Sequence, residues 1–326
     1  MEDIEILNFN DNFSVIGHYA EELTSKNYVT NPAIAREEEL KKLMMVLLTP
    51  EKSGLLVGKP GIGKTAIVEG LAYLIQKNEV PDNLKGYKIY KISSVSLLGK
   101  ISINGKEELT ISVLVNELKN MSKVIIFIDE VHTLMGGSAD GPMDLANILK
   151  PGLDRGDIKA IGATTTNEYS TYVIRDRAFL RRFEKIEVEE PNEETTVKIL
   201  EGSLPKIESQ TGAKFKYNSY VTNLLLQAIV GATSEFKRVY GLSAMYPDIA
   251  FSVLQGAFSQ ALYSNRTEVN LLDVYNAIKT SKRIYPDSIV KELTSFREKF
   301  KDLAKEENIE LPIVTIEEVE SSEEYL

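Results

Sequence analysis

Two kinds of apolar spacing alternate along this chain of 326 residues. Short apolar runs at 55–57, 88–92, 124–128, 158–163 and 186–188 have the length of strands. The run at 124–128 lacks the polar alternation of a sheet with one wet face, which suits a strand buried on both sides. Between the runs, apolar residues recur at helical intervals, as in Ala66, Ile67, Leu71 and Ile75. Five strands separated by helices predict a parallel sheet covered on both faces. After Pro191-Asn192 the pattern changes, and helices are expected at 193–209, 217–230, 246–263, 271–280 and 286–306. The expected organisation is an N-terminal arm over 1–30, helical across 13–28, then an α/β domain over 31–191. A helical lid with bridge helices over 192–306 and an acidic C-terminal tail over 307–326 complete it; the tail holds a short apolar piece at Leu311–Ile316 and is expected to be mobile at Glu317–Glu324.

Chemistry enters at residues 58–65, which read Gly58-Lys59-Pro60-Gly61-Ile62-Gly63-Lys64-Thr65. This is a full G-x-x-x-x-G-K-[ST] phosphate loop, set between a strand and a helix that continues through Ala66. Glycines let backbone N–H groups curl around phosphate oxygens, and the helix N-terminus adds a favourable field. Lys64 is placed to neutralise the β- and γ-phosphates, and the Thr65 hydroxyl to ligate Mg²⁺. The 124–128 run ends in Asp129-Glu130. Beside a phosphate loop, two carboxylates at the end of a central strand suit an Mg²⁺ partner, Asp129, and a base for the attacking water, Glu130. The next strand ends in Gly162-Ala163-Thr164-Thr165, where a hydroxyl can meet phosphate or water. Arg181-Arg182-Phe183 precedes the last strand. In isolation those arginines would be a solvated face, but in ring-forming NTPases such residues reach the neighbour's nucleotide.

Composition narrows the partners. A formal net charge of −10 disfavours general nucleic-acid binding. There is no cysteine, and with only His18 and His132 a thiolate or histidine zinc site is not expected. No 18-residue apolar stretch occurs, and the acidic start Met1-Glu2-Asp3-Ile4-Glu5 does not read as a signal peptide. These features lead to the expectation of a cytoplasmic protein without a membrane partner.

The order of these motifs resembles the AAA+ ATPases, and within them the first nucleotide-binding domain of the Clp unfoldases. The likeness covers roughly residues 14 to 305. It is carried by 30–39 (Thr-Asn-Pro-Ala-Ile-Ala-Arg-Glu-Glu-Glu), 63–72, Glu79-Val80-Pro81, 127–133, 139–144, Leu149-Lys150-Pro151, 162–169 and Arg181-Arg182-Phe183. The resemblance implies ATP or ADP with Mg²⁺ as cofactors and a P-loop fold, a five-stranded parallel sheet followed by an all-helical lid. It implies that Ile34 contacts adenine, Thr165 occupies the sensor-1 position, and Arg181 and Arg182 act across a subunit boundary. It also implies a homo-oligomeric, hexameric ring that threads protein or peptide substrates.

Several positions depart from that pattern. The family's N-terminal adaptor domain, second ATPase ring and inserted coiled coil have no counterpart here, so partnership with a Clp peptidase is not expected. Ser102-Ile103-Asn104-Gly105 aligns with the pore loop, but Ile103 stands at its aromatic position. Ile249 replaces the lysine of the lid's Pro-Asp-Lys-Ala. The expected function is Mg²⁺-dependent ATP hydrolysis coupled to remodelling of proteins. The alternative is a slow nucleotide-dependent ring scaffold or regulator that threads nothing. Asp129-Glu130-Val131-His132 also fits a helicase box, but the late glutamine-glycine-arginine motif of that class is missing and the charge opposes it.

Overall fold

A computed structural model describes residues 8–9, 14–135, 158–240 and 245–321. The chain forms two compact units, one of Met1–Lys59 with Lys64–Val188 and one of Glu189–Leu326 with Pro60–Gly63. The family-like stretches at 139–144 and 149–151 lie outside the described residues.

In chain order the first unit contains β1 (Asn8–Phe9), α1 (Val15–Tyr19), β2 (Ala20–Glu22), α2 (Glu37–Leu48), β3 (Ser53–Val57) and α3 (Lys64–Gln76). There follow β4 (Lys88–Ser93), α4 (Ser94–Leu98), β5 (Lys100–Ile103), β6 (Lys106–Leu109), α5 (Thr110–Leu118) and β7 (Val124–Asp129). The last elements are β8 (Ile158–Thr164), α6 (Thr166–Thr171), α7 (Arg177–Arg182) and β9 (Phe183–Glu187). The main sheet has the order β2-β4-β7-β8-β3-β9. The five expected strands are all there and mutually parallel. Val124 to Ile128 are buried without exception, which is why that strand carries no polar alternation.

The expected helix over 13–28 is not found. Ser14 accepts a hydrogen bond from the Gly17 N–H and starts a helix that stops at Tyr19. Ala20, Glu21 and Glu22 then run antiparallel to β4 as a sixth, edge strand. Glu22 accepts from Lys88 Nζ and from the Tyr90 hydroxyl, both at 3.3 Å. Cross-strand partners thus override a sequence that reads as helical.

The stretch aligned with the pore loop, Ser102-Ile103-Asn104-Gly105, falls within a β-hairpin, β5 and β6. β5 pairs antiparallel with β6 across Asn104-Gly105. Both turn residues have positive φ, 51° and 77°, the geometry that Asn-Gly adopts in a two-residue hairpin turn. β1 adds to the outer edge of β5 as a third strand.

The second unit contains α8 (Glu193–Thr211), β10 (Lys214–Phe215), α9 (Ser219–Ala232), α10 (Asp248–Tyr263), β11 (Glu268–Val269), α11 (Leu271–Lys279), α12 (Pro286–Lys299), α13 (Lys301–Glu306) and α14 (Ile316–Ser321). Asn192, Asn218 and Asn270 cap three of these helices with their side chains. Leu225, Leu254, Tyr275 and Leu293 lie in one core. Ile249 is fully buried there, so the position that holds lysine in the family serves packing in this chain. Arg238 is buried over the ring of Tyr246 at 4.2 Å and donates to Glu190 at 2.6 Å, which also accepts the Tyr246 N–H. Within the expected C-terminal tail, Leu311 and Val314 of the apolar piece join the core, and so does Val319 from the acidic end expected to be mobile. The Tyr275 hydroxyl and Arg297 Nε donate to the carbonyls of Pro312 and Leu311.

One close approach ties the segment before α2 to α3. A Cβ placed on Gly70 would lie 2.2 Å from the Ala33 Cβ and 3.2 Å from the Ala33 nitrogen. Only glycine lets that segment, which includes Ile34, lie against α3. Gly70→Ala is expected to cost about 1–3 kcal/mol, the usual range for overpacking a tight contact. Urea denaturation checks this, and an unchanged midpoint would count against the close packing.

Candidate nucleotide site

The site is built at the carboxyl ends of β3, β7 and β8. β8 pairs with both β7 and β3, so it separates the strand before the phosphate loop from the strand that ends in Asp129. Ligands in open α/β sheets bind beyond these strand ends.

The phosphate loop has the curl its glycines predict, with φ of +74° at Gly61 and +99° at Gly63. A Cβ on Gly61 would also meet the Cβ of Asp248 at 2.7 Å. Gly58 is buried and its N–H donates to the Thr164 carbonyl at 3.3 Å. Pro60 is exposed at the loop's outside, whereas Ile62 is buried. Lys64 Nζ donates to the carbonyls of Gly58 at 2.8 Å and Lys59 at 3.0 Å, so the ammonium spans the loop from within. Burial holds the Lys64 pKa below its ordinary value, although Asp129, Glu168 and Glu130 pull the other way. Ala66 continues the first turn of α3.

Thr65 Oγ1 donates to Asp129 Oδ2 at 3.1 Å. This bond joins the loop helix to β7 and sets together two hard oxygen donors of the kind Mg²⁺ prefers. Among the described residues no cluster of three or more histidines, cysteines or carboxylates would hold a metal by itself. The donor set therefore fits a magnesium whose remaining ligands are phosphate and water. Lys91, from β4, reaches Asp129 Oδ2 at 3.9 Å and adds positive charge that the sequence reading leaves without a role.

Glu130 follows in a left-handed conformation, φ 52° and ψ 44°. For a non-glycine residue this costs roughly 1–2 kcal/mol, and it turns the exposed carboxylate away from the strand direction. The Glu130 N–H donates back to Asp129 Oδ1 at 3.1 Å, and its carbonyl accepts the Thr133 hydroxyl at 3.0 Å.

Beside it lies a polar cluster. The Thr164 hydroxyl stands 3.2 Å from His132 Nδ1 and 3.3 Å from Glu168 Oε2, and that same carboxylate oxygen lies 3.1 Å from His132 Nδ1. A carboxylate only accepts, so Nδ1 carries the proton. Thr165 and Glu168 form a reciprocal cap on α6. Burial works against the Glu168 charge, but hydrogen bonds from Thr165 and Thr164 and the proximity of His132 outweigh it and hold its pKa below the usual range. The Thr165 hydroxyl accepts from the Glu168 N–H at 3.3 Å.

The arginines do not join this cluster. Phe179 and Phe183 stack at 3.9 Å and anchor α7 in the core, with Arg181 exposed and Arg182 half-buried. Phe183 pairs with Ser53, the first residue of β3, and Lys52 Nζ donates to the Arg181 carbonyl at 2.9 Å. Arg181 and Arg182 thus stand at the opposite end of β3 from the phosphate loop, roughly 15 Å away at strand rise.

A family model described as "ATPase family associated with various cellular activities (AAA)" matches residues 54–190. The chaperone protein ClpB of Aquifex aeolicus is 47% identical over 180 residues, 55% of this chain and 18% of that protein. The ATP-binding subunit ClpC of the Clp protease of Staphylococcus saprophyticus is 35% identical over 280 residues, 84% of this chain and 33% of that protein. A closed-state reconstruction of Hsp104 with ATPγS and FITC casein superposes with a TM-score of 0.70 at 31% identity, over 95% of this chain and 52% of that one. This chain carries a Clp-type AAA+ ATPase domain. It spans between about a fifth and a third of the length of the curated relatives it matches. Among the described residues of this Clp-type chain, no helix is long and apolar enough to cross a membrane.

The depressed Lys64 pKa has a measurable consequence. Bound phosphates favour the charged ammonium, so the nucleotide complex holds that proton more firmly than the free protein does. Affinity is then complete below the free-state pKa of Lys64 and falls by about tenfold per pH unit above it. Titration with a fluorescent ADP analogue, from neutral pH towards the ordinary lysine pKa, should show this decline in the wild type but not in Lys64→Arg. A flat wild-type profile would remove Lys64 from phosphate binding.

Proposed function

We propose that this chain hydrolyses ATP in a Mg²⁺-dependent reaction, as one subunit of a homo-oligomeric, six-membered ring that remodels protein substrates. The observation that carries the reading is the Thr65–Asp129 hydrogen bond, with the left-handed Glu130 next to it. In this reading the loop N–H groups and Lys64 hold the β- and γ-phosphates. Ile34, held on α3 through Ala33, lies on the adenine side. Magnesium, when bound with the nucleotide, would draw charge from the phosphates, and Thr65 and Asp129 are the residues to hold it. Glu130 orients the attacking water and accepts its proton, while the Thr165 hydroxyl donates to the same water or to phosphate.

The position of the arginines supports a ring. At roughly 15 Å from their own loop at strand rise, the exposed Arg181 and the half-buried Arg182 are placed in this reading to serve a neighbour's γ-phosphate. The remodelling of polypeptide is supported by the likeness to ClpB, ClpC and Hsp104. One observation favours the scaffold alternative: Ile103 packs partly against the core of the first unit. The exposed tip of the hairpin is Asn104-Gly105, which offers little apolar grip.

Glu130→Gln should keep ATP binding and lose about 10²–10⁴-fold in turnover, because only proton acceptance is removed. Phosphate release and retained nucleotide, measured on one sample, check it; turnover at the wild-type rate would exclude Glu130 as the base. Arg182→Ala should bind ATP, hydrolyse it at least about 10³-fold more slowly, and regain activity when mixed with Lys64→Ala subunits whose arginines are intact. Activity that is independent of protein concentration, in a particle of monomer mass, would overturn the shared site.

A further inference from the structure

The hairpin has two edges of unlike chemistry. β6 carries Lys106, Glu107 and Glu108, all exposed, and pairs on its far side with no further strand among the described residues. Charged edges of this kind discourage strand addition. β5 continues past Lys100 as Ile101-Ser102-Ile103 without charge, and Ile101 and Ser102 are buried. That permissive edge is covered: Asn8 and Phe9 lie parallel to it, in register with Ser102 and Ile103. The covering strand falls in Ile6-Leu7-Asn8-Phe9-Asn10, the uncharged centre of an otherwise acidic N-terminal segment. The two-residue turn fixes the hairpin, so the edge is preformed and an added strand does not have to organise it.

We propose that the β5 edge is a strand-addition site for an extended, sparsely charged polypeptide, and that β1 occupies it in cis as a built-in competitor. Main-chain hydrogen bonds supply the affinity, which makes recognition tolerant of side-chain sequence. Charge on the β6 edge directs the incoming chain to β5. The identity of the partner as a polypeptide rests on the remodelling reading above, whereas the competition between β1 and a second strand does not. A site held in cis nine-tenths of the time binds a strand in trans about tenfold more weakly than an open one.

The test uses the full chain and one probe, a fluorescent peptide with the sequence of residues 1–13, followed by anisotropy. Asn8→Pro/Phe9→Pro removes two backbone N–H groups from β1 and should raise peptide affinity about tenfold. The chain has no cysteine, so Phe9→Cys/Ile103→Cys gives a single reversible lock, which should abolish binding when oxidised and restore it under reductant. A probe carrying proline in place of its own asparagine and phenylalanine should bind to none of them. Equal affinity across wild-type, proline and oxidised proteins would overturn the inference, as would equal binding of the proline probe. Phosphate release measured in parallel separates the two readings: loss of turnover in every protein, with graded peptide affinity intact, counts against ATP hydrolysis alone.

Discussion

The site depends on one strand that contributes few groups to it directly. β8 lies between β3 and β7 and is hydrogen-bonded to both. Its buried small residues, Gly162 and Ala163, let its neighbours close over it. A Cβ on Gly162 would already press on Leu55 at 3.0 Å and Val131 at 3.2 Å. With β8 in place, the phosphate loop at the end of β3 and the carboxylates at the end of β7 come within one hydrogen bond of each other, from Thr65 to Asp129. The Thr164 carbonyl receives the first N–H of the loop, and its hydroxyl faces His132 and Glu168. Parallel pairing thus converts three distant stretches of sequence into one polar surface.

The parts of this arrangement that are legible in the sequence are those with a local physical signature. The phosphate loop, the apolar run before Asp129 and the helical periods after Pro191 each report on themselves. What is not legible depends on partners far along the chain. Ala20-Glu21-Glu22 has nothing in its own sequence that marks a strand; the edge of β4 makes it one. The left-handed turn at Glu130 is likewise set by its surroundings, since glutamate does not favour it. Other features carry local signals of a weaker kind. Asn104-Gly105 between two extended stretches is a hairpin signal, and Thr165 three residues before Glu168 is a capping-box spacing. Leu311, Val314 and Val319 are apolar positions set among acidic ones, and charge alone hides the face they share.

The arrangement divides labour along β3. Its carboxyl end leads into the phosphate loop, and its amino end lies beside the strand that follows the arginines. The hairpin's turn and its charged edge both limit what it can pair with.

The packed segment at 311–319 gives the helical unit a mechanical order. Its anchors are side chains from inside the unit, the Tyr275 hydroxyl and Arg297 Nε, each gripping a carbonyl of the passing chain. A force applied at the carboxyl end of this chain therefore meets α14 first, then Pro312 and Leu311, before it reaches α13 and α12. Those contacts lie one after another along the chain, so a pull from this end loads them in sequence rather than together, as in unzipping. Any further polypeptide attached beyond residue 326 would pull on the unit through this outer layer.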